Sequence, residues 1–251
     1  MMVWLVPFLF YLSLAVFLIG MGWRVWTWLR APVPLKIPLT PGPATTAGVV
    51  GRVAGEVILF RSLLSADAPL WAAAWVFHVS LLLLAIGHVA GLVIPGFVAG
   101  ALGLSPNQFS HLALVTGGVI GVVAILPLFY LFLRRLLIER VRFVSVFSDY
   151  FALALLFLVI ATGNKMRFSE GFDIVTAREF VGGLLVFQPV APPQDVIFVV
   201  HMLLVCVLLA YIPFSKLMHL GGIFFSPTFN QPNDPRQRRH VNPWDHEVSQ
   251  A

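Results

Sequence analysis

The chain contains a single cysteine, Cys206, and it lies inside an apolar run. An intrachain disulfide is therefore excluded. No Cys-x-x-Cys-His is present, which rules out a covalently attached c-type haem, and without a Cys-x-x-Cys the chain is not expected to hold an iron–sulfur cluster by itself. Cys206 reads as a small membrane-core residue. Charge is also scarce. Only 11% of the residues are charged, against about 25% in a typical soluble domain. No carboxylate falls in the middle of a long apolar run, and Asp149 and Asp195 stand only at run ends. That absence speaks against a carboxylate proton relay and against a small transporter. What the chain does have is apolar surface: 59% of its 251 residues are hydrophobic, more than a soluble fold of this size could hide, so a membrane protein is expected. The formal charge of +5 falls between the apolar runs, so topology accounts for it and no nucleic-acid partner is expected.

Spanning a bilayer takes about 20 apolar residues. Five runs qualify, at about 3–23, 70–98, 109–133, 147–163 and 195–218. In lipid only helices satisfy their own backbone over such lengths, so the expected fold is an all-α five-helix transmembrane bundle. The first run is too long for a signal-peptide core and its positive charges follow it, so it reads as a retained anchor. Arg24, Arg30, Lys36, Arg52, Arg61, Arg134, Arg135, Arg140, Arg142, Lys216, Arg236, Arg238 and Arg239 all fall on one side; only Lys165, Arg167 and Arg178 fall on the other. The positive-inside rule then places the N-terminus outside and the C-terminus in the cytoplasm, in a bacterial or archaeal inner membrane. A Pro-rich inside linker, 31–47, precedes a surface helix expected over 48–64, with Val50, Val53, Val57 and Leu64 toward lipid. Residues 164–194 form the long outer loop, within which "TAREFVGGLLVF" is expected to lie flat on the membrane. Residues 1–220 read as the membrane domain. Residues 221–251 read as a polar, proline-containing tail that must dock or stay loose.

The second run carries His78 and His88, and the fifth carries His201 and His219. Intramembrane ionisable side chains are rare and point to function. Because the two helices are antiparallel, His78 falls level with His219 near the inner face and His88 with His201 near the outer face. At about 1.5 Å per residue, the first pair of positions is roughly 15 Å apart and the second roughly 27 Å. That leaves a mismatch of about 6 Å per end on the same rise, which tilt and a kink at Pro213 can absorb. Two stacked bis-histidine haems b answer this pattern, because imidazoles bind iron on both faces of a flat ring that suits a bundle core. Zinc would want further ligands nearby. Gly87 would let a porphyrin approach the backbone. Gly117, Gly118 and Gly121 thin one face of the third helix, either for a porphyrin or for G-x-x-x-G helix packing. A haem-free anchor that only tethers a soluble complex stands as the reading from another class.

These four histidines at these spacings, in a five-helix frame, resemble the gamma subunit family of respiratory nitrate reductase. Residues 224–245, "FFSPTFNQPNDPRQRRHVNPWD", are similar to the tail of the DsrM family, cytochrome b subunits of the Dsr membrane complex of dissimilatory sulfur metabolism. "GRVAGEVILFRSLL" points to the same branch. The resemblance implies two b haems paired as above, a quinone site near the outer haem, and an inner-side, heterodisulfide-reductase-like partner carrying iron–sulfur clusters. The chain would then transfer electrons between the quinone pool and that partner, with quinone redox as its only chemistry. A gamma-type subunit of a nitrate reductase or of another respiratory complex is the alternative. His111, at the outer mouth of the third helix, is a candidate for a quinone carbonyl, against plain interfacial polarity. Arg167, with Lys165, is a candidate for haem propionates, against lipid headgroups. Arg134 and Arg135 suit the inner haem or ordinary positive-inside anchoring. In the tail, His240 and His246 read as docking or solvated residues, and Arg236, Arg238 and Arg239 suit an acidic patch on a partner or anionic lipid.

Overall fold

A computed structural model describes residues 2–32, 37–169 and 172–234. The expectations placed on Lys36, Arg236, Arg238, Arg239, His240 and His246 lie outside the described residues. Among those described, every regular element is helical. The order is α1 (Met2–Arg30), α2 (Thr46–Leu59), α3 (Arg61–Ala66), α4 (Ala68–His88), α5 (Pro95–Ala101), α6 (Pro106–Leu137), α7 (Glu139–Val144), α8 (Phe147–Arg167), α9 (Ile174–Leu185) and α10 (Val196–Tyr211), followed by short helical turns. Five segments are long and apolar enough to cross a membrane: α1, α4 with its π-helical extension to Val93, α6, α8, and α10 with its extension to Phe214. The protein is an all-α, multi-pass membrane protein.

Side-chain caps set where these helices begin. Asp67 accepts from the amide of Leu70 at 3.0 Å to open α4, Ser105 and Gln108 form a reciprocal capping box before α6, and Asp195 accepts from the amide of Phe198 to open α10. Each satisfies an amide that the first turn leaves unpaired. Several ends differ from the sequence expectation. α1 continues to Arg30, since nothing in its last turns breaks a helix before Pro32. α4 passes into a π-helical turn, Val89–Val93, and breaks at Ile94, because Pro95 has no N–H to continue the ladder. The surface helix expected over 48–64 is two helices, α2 and α3, divided at Phe60, which adopts a left-handed conformation (φ 49°). The indoles of Trp71 and Trp75 donate to the carbonyls of Leu59 (2.7 Å) and Ile58 (2.9 Å), satisfying the open end of α2.

The spanning helices pack in the order α4, α6, α8, α10, α1. One core cluster joins α4, α6 and α8 through Phe77, Ala124, Leu128, Leu156 and Ile160. A second joins α1, α9 and α10 through Val6, Phe180, Leu184, Phe198 and Met202. The outer-loop segment is thus an ordered helix, α9, whose apolar face packs on the bundle. The two histidine-bearing helices, α4 and α10, are not an extensively packed pair; each is held against α6, α8 or α1. Part of the tail folds back on the linker after α1: the amide of Leu39 donates to Thr228 at 3.0 Å and that of Asn233 to Pro43 at 2.7 Å.

Candidate functional site: two imidazole pairs

His78 and His88 sit ten residues apart on α4. An intact helix orients both in the same way. The Nδ1–H of His78 donates to the carbonyl of Ala74, and that of His88 to the carbonyl of Leu84, each at 2.7 Å and one turn back. A carbonyl can only accept, so Nδ1 carries a proton in both rings, and in the neutral imidazole Nε2 then keeps its lone pair.

His201, buried on α10, uses a neighbouring helix. Its Nδ1 lies 2.9 Å from Thr162 Oγ1 of α8. That hydroxyl donates to the carbonyl of Leu158 at 2.7 Å, so it accepts from the imidazole. Gly163 lies flat beside the ring; a Cβ there would stand 3.4 Å from His201 Cε1.

His219 is not on the fifth spanning helix. That helix ends at Tyr211, passes through a 3-10 turn at Ile212–Phe214 containing the buried Pro213, and leaves the helical path at Ser215. His219 opens a further short turn, and its Nδ1–H donates to the carbonyl of Lys216 at 2.8 Å.

The structure brings His78 and His219 together, with ring centres 5.8 Å apart and planes at 79°. It also brings His88 and His201 together, at 6.5 Å and 7°. Two imidazole nitrogens bonded at about 2 Å to opposite sides of one metal put their ring centres about 6 Å apart. Both separations suit that geometry, and the ring planes are free to rotate about the shared axis. In all four rings Nδ1 is tied and, among the described residues, Nε2 has no hydrogen bond. This is how metal-binding histidines are usually held. No group of three or more His, Cys, Asp or Glu gathers among the described residues, so each pair offers two imidazole nitrogens, and a metal held there would need its other ligands from a bound group. Gly87 and Gly91 stand on either side of His88 in the chain, and no atom beyond their own stretch of helix lies within 4 Å of where their Cβ atoms would stand. The residues present therefore fit a bis-histidine haem at each pair.

The other candidates are placed as follows. Gly117 and Gly121 receive Arg167 and Asn164 of α8, and Gly118 receives Phe168 just past its end, so these glycines serve helix packing. Arg167 donates Nη1–H to the carbonyl of Ala113 at 2.7 Å. His111 is exposed near the start of α6. Lys165 is exposed at the same end. Arg134 pairs with Asp67 at 3.1 Å, and Arg135 donates to Ser145 and lies 3.5 Å from Asp149. Val50, Val57 and Leu64 are exposed and Val53 is half-buried.

Sequence reasoning missed four participants. Thr162 holds His201. Phe60 places its ring edge-on to His78, with centres 5.1 Å apart. Arg178 of α9 reaches the carbonyl of Gly91 at 2.7 Å, three residues past His88, and Ser110 at 3.4 Å, beside His111. Asp149, read only as a helix-end residue, anchors Lys216. Spacing along the chain marks none of these; a guanidinium on an apolar outer-loop helix was the one visible signal.

Comparisons with known proteins agree with this frame. Residues 61–232, which include all four histidines, match the family described as the nitrate reductase gamma subunit. The Hdr-like menaquinol oxidoreductase cytochrome b-like subunit of Archaeoglobus fulgidus is 38% identical over 272 residues, covering 94% of this chain and 81% of that protein. The nitrate reductase gamma chain of Bacillus subtilis is 31% identical over 155 residues, 59% of this chain and 70% of that one. A component of the dihydromethanophenazine:CoB–CoM heterodisulfide reductase of Methanosarcina barkeri is 27% identical over 128 residues, 49% of this chain and 43% of that one.

Proposed function

The chain belongs to the nitrate reductase gamma subunit family, and from that premise we propose that it is the dihaem cytochrome b subunit of a quinone-linked oxidoreductase complex. It is a membrane cytochrome b electron-transfer subunit of the prokaryotic cytoplasmic membrane. In this reading His78 and His219 would hold the haem at the inner site, and His88 and His201 that at the outer one. The observation that carries the proposal is the pair of imidazole couples, 5.8 Å and 6.5 Å between ring centres, each ring with Nδ1 tied and Nε2 open. Haem b bound there supplies reversible one-electron transfer.

The protein's own residues do the rest. Ala74, Leu84, Lys216 and Thr162 hold the imidazoles in the tautomer that leaves Nε2 basic. Arg167 and Arg178 are cations that form no ion pair among the described residues, and they face the end that carries His88. They are suited to haem propionates through charge-assisted bonds. His111, one residue from the Ser110 contact of Arg178, offers an imidazole to a quinone carbonyl and a route for its proton. With the cationic segments inside, the N-terminus is outside and quinone chemistry occurs at the outer end. The cytoplasmic partner is a heterodisulfide-reductase-like iron–sulfur subunit, and the setting is dissimilatory sulfur metabolism. This reading is preferred over a nitrate reductase subunit because the Hdr-like relative matches 94% of the chain and the B. subtilis nitrate reductase gamma chain 59%.

The test is a reduced-minus-oxidised visible spectrum of the purified full chain and of each histidine-to-alanine variant. Two b-type centres are expected in the wild type. His88→Ala and His201→Ala should lose the same one, and His78→Ala and His219→Ala the other. A haem-supplied wild type with no b-type band would leave the tether-only reading standing.

A further inference from the structure

The four imidazoles are not supported alike. His78 and His88 hang from carbonyls of one unbroken helix, so the helix alone sets their aim. His201 leans on Thr162 of the adjacent α8, and both residues belong to long packed helices. His219 has neither form of support. Between it and α10 the chain runs through a 3-10 turn, an extended residue (Ser215, φ −121°, ψ 175°) and a second 3-10 turn, Lys216–Met218. The register of α10 therefore does not decide where His219 points.

An ion pair takes over that task. The side chain of Asp149, in the first turn of α8, is only 4% exposed, and its oxygens lie 2.8 Å and 3.0 Å from Lys216 Nζ. Its Oδ2 also accepts from the amide of Val146 at 3.1 Å, which fixes the carboxylate on α8. Arg135 of α6 stands 3.5 Å away as a second cation. Tyr211, the last residue of α10, donates to the carbonyl of Ser148 at 3.1 Å and draws the same stretch toward the start of α8. Leu217 packs against the cluster that contains Phe77, the neighbour of His78. Lys216 thus acts at both ends. Its ammonium is held by a buried carboxylate, and its carbonyl accepts the Nδ1–H of His219.

We propose that the Asp149–Lys216 ion pair is a positioning clamp for His219, which fixes how this imidazole meets the metal it shares with His78 and so tunes that centre alone. The proposal rests on the dihaem reading above. Both residues act through His219, so they are positioning residues. A buried carboxylate is a costly way to hold a surface turn through an exposed lysine: without Lys216 it keeps only Arg135, 3.5 Å away, as a counter-charge. Its placement on the one ligand that lacks helical support accounts for its presence.

The experiment uses the full-length chain, purified in detergent with its haem. Visible redox titration and low-temperature electron paramagnetic resonance of the oxidised protein are recorded for wild type, Asp149→Asn, Lys216→Met and Lys216→Arg. His219→Ala identifies which transition and which low-spin signal belong to the His78–His219 centre. In Asp149→Asn and Lys216→Met that transition should shift or be lost and its signal should move, while the His88–His201 transition and signal stay at wild-type positions. Lys216→Arg, which keeps the charge, should restore the wild-type values. Unchanged transitions and signals in both Asp149→Asn and Lys216→Met would overturn the clamp, and so would equal disturbance of both centres. Lys216 has a side chain that is 67% exposed, so Lys216→Met remains informative if Asp149→Asn does not fold. If the wild type itself lacks two b-type transitions, the dihaem reading fails and the clamp falls with it; failure of the clamp alone leaves those wild-type transitions in place.

Discussion

At the scale of single residues, each of the four imidazoles has to be aimed with Nε2 open, whether buried (His201), half-buried (His78) or exposed (His88 and His219). The solution is the same each time: Nδ1–H is given to an acceptor whose own hydrogen-bonding leaves no alternative. Thr162 is the most exposed to test, because its hydroxyl is a side chain and can be removed. Thr162→Val preserves shape and deletes the acceptor. Loss of such an orienting partner costs about 10–100-fold in metal-site affinity, and we expect a loss of that size in haem titration at the His88–His201 centre only. Asp67 gives a pH-dependent prediction outside the spans. The amide of Leu70 and the guanidinium of Arg134 hold its carboxyl below the ordinary carboxylate range. A depressed value in the folded state means that its contribution is present at neutral pH and is lost as the medium acidifies through and below that range. Acid-induced unfolding of Asp67→Asn should therefore depend less on pH than that of the wild type. The histidines were legible in the sequence because a titratable group in a long apolar run stands out. Thr162, Phe60 and Arg178 were not, because a threonine, a phenylalanine or an arginine is unremarkable until another helix is packed against it.

At the scale of elements, the spans were legible and their ends only partly so. Hydrophobic length identifies a crossing, but it does not say how a helix stops. Pro95 and Pro213 were both visible, yet the π-helical turn after His88 and the departure from the helix at Ser215 depend on what the freed backbone groups find nearby. The second of these resolves the mismatch in spacing between the two histidine pairs. Pro213 does not just bend a continuous helix; the α-helix ends two residues before it, and His219 belongs to a separate turn. The single surface helix expected over 48–64 failed for a similar reason, since the αL conformation at Phe60 is stabilised by Trp71 and Trp75 from a different helix. The glycines of α6 make a quantitative prediction. A side chain at Gly121 would collide with Asn164, and α8 cannot retreat without disturbing Thr162 and Gly163. Gly121→Leu should destabilise the bundle by about 1–3 kcal/mol through overpacking, read as a lower midpoint in a denaturing-detergent titration.

At the scale of the whole molecule, composition alone named the class, and the charge asymmetry between loops suggested an orientation. The packing order α4, α6, α8, α10, α1 could not be read from the chain, because any of several orders would bury the same apolar faces. That order sets α4 opposite α10 and the turns that follow it without packing the two helices together, and the two imidazole pairs form across that gap. Reporter fusions test the orientation, with a C-terminal fusion expected to be active only in the cytoplasm. The polar tail divides at the scale of the assembly. Thr228 and Asn233 are hydrogen-bonded to the linker after α1, and the docking role proposed for the tail is tested beyond them. Deleting 235–251 should leave haem content unchanged and reduce retention of the proposed iron–sulfur partner during affinity purification. The central claim is tested most directly by a density map of the purified full-length chain, resolved at the two imidazole pairs. The account predicts a flat macrocycle with a metal at its centre between His78 and His219, and another between His88 and His201. Continuous protein or lipid density between the rings, with no metal within bonding distance of any Nε2, would contradict it.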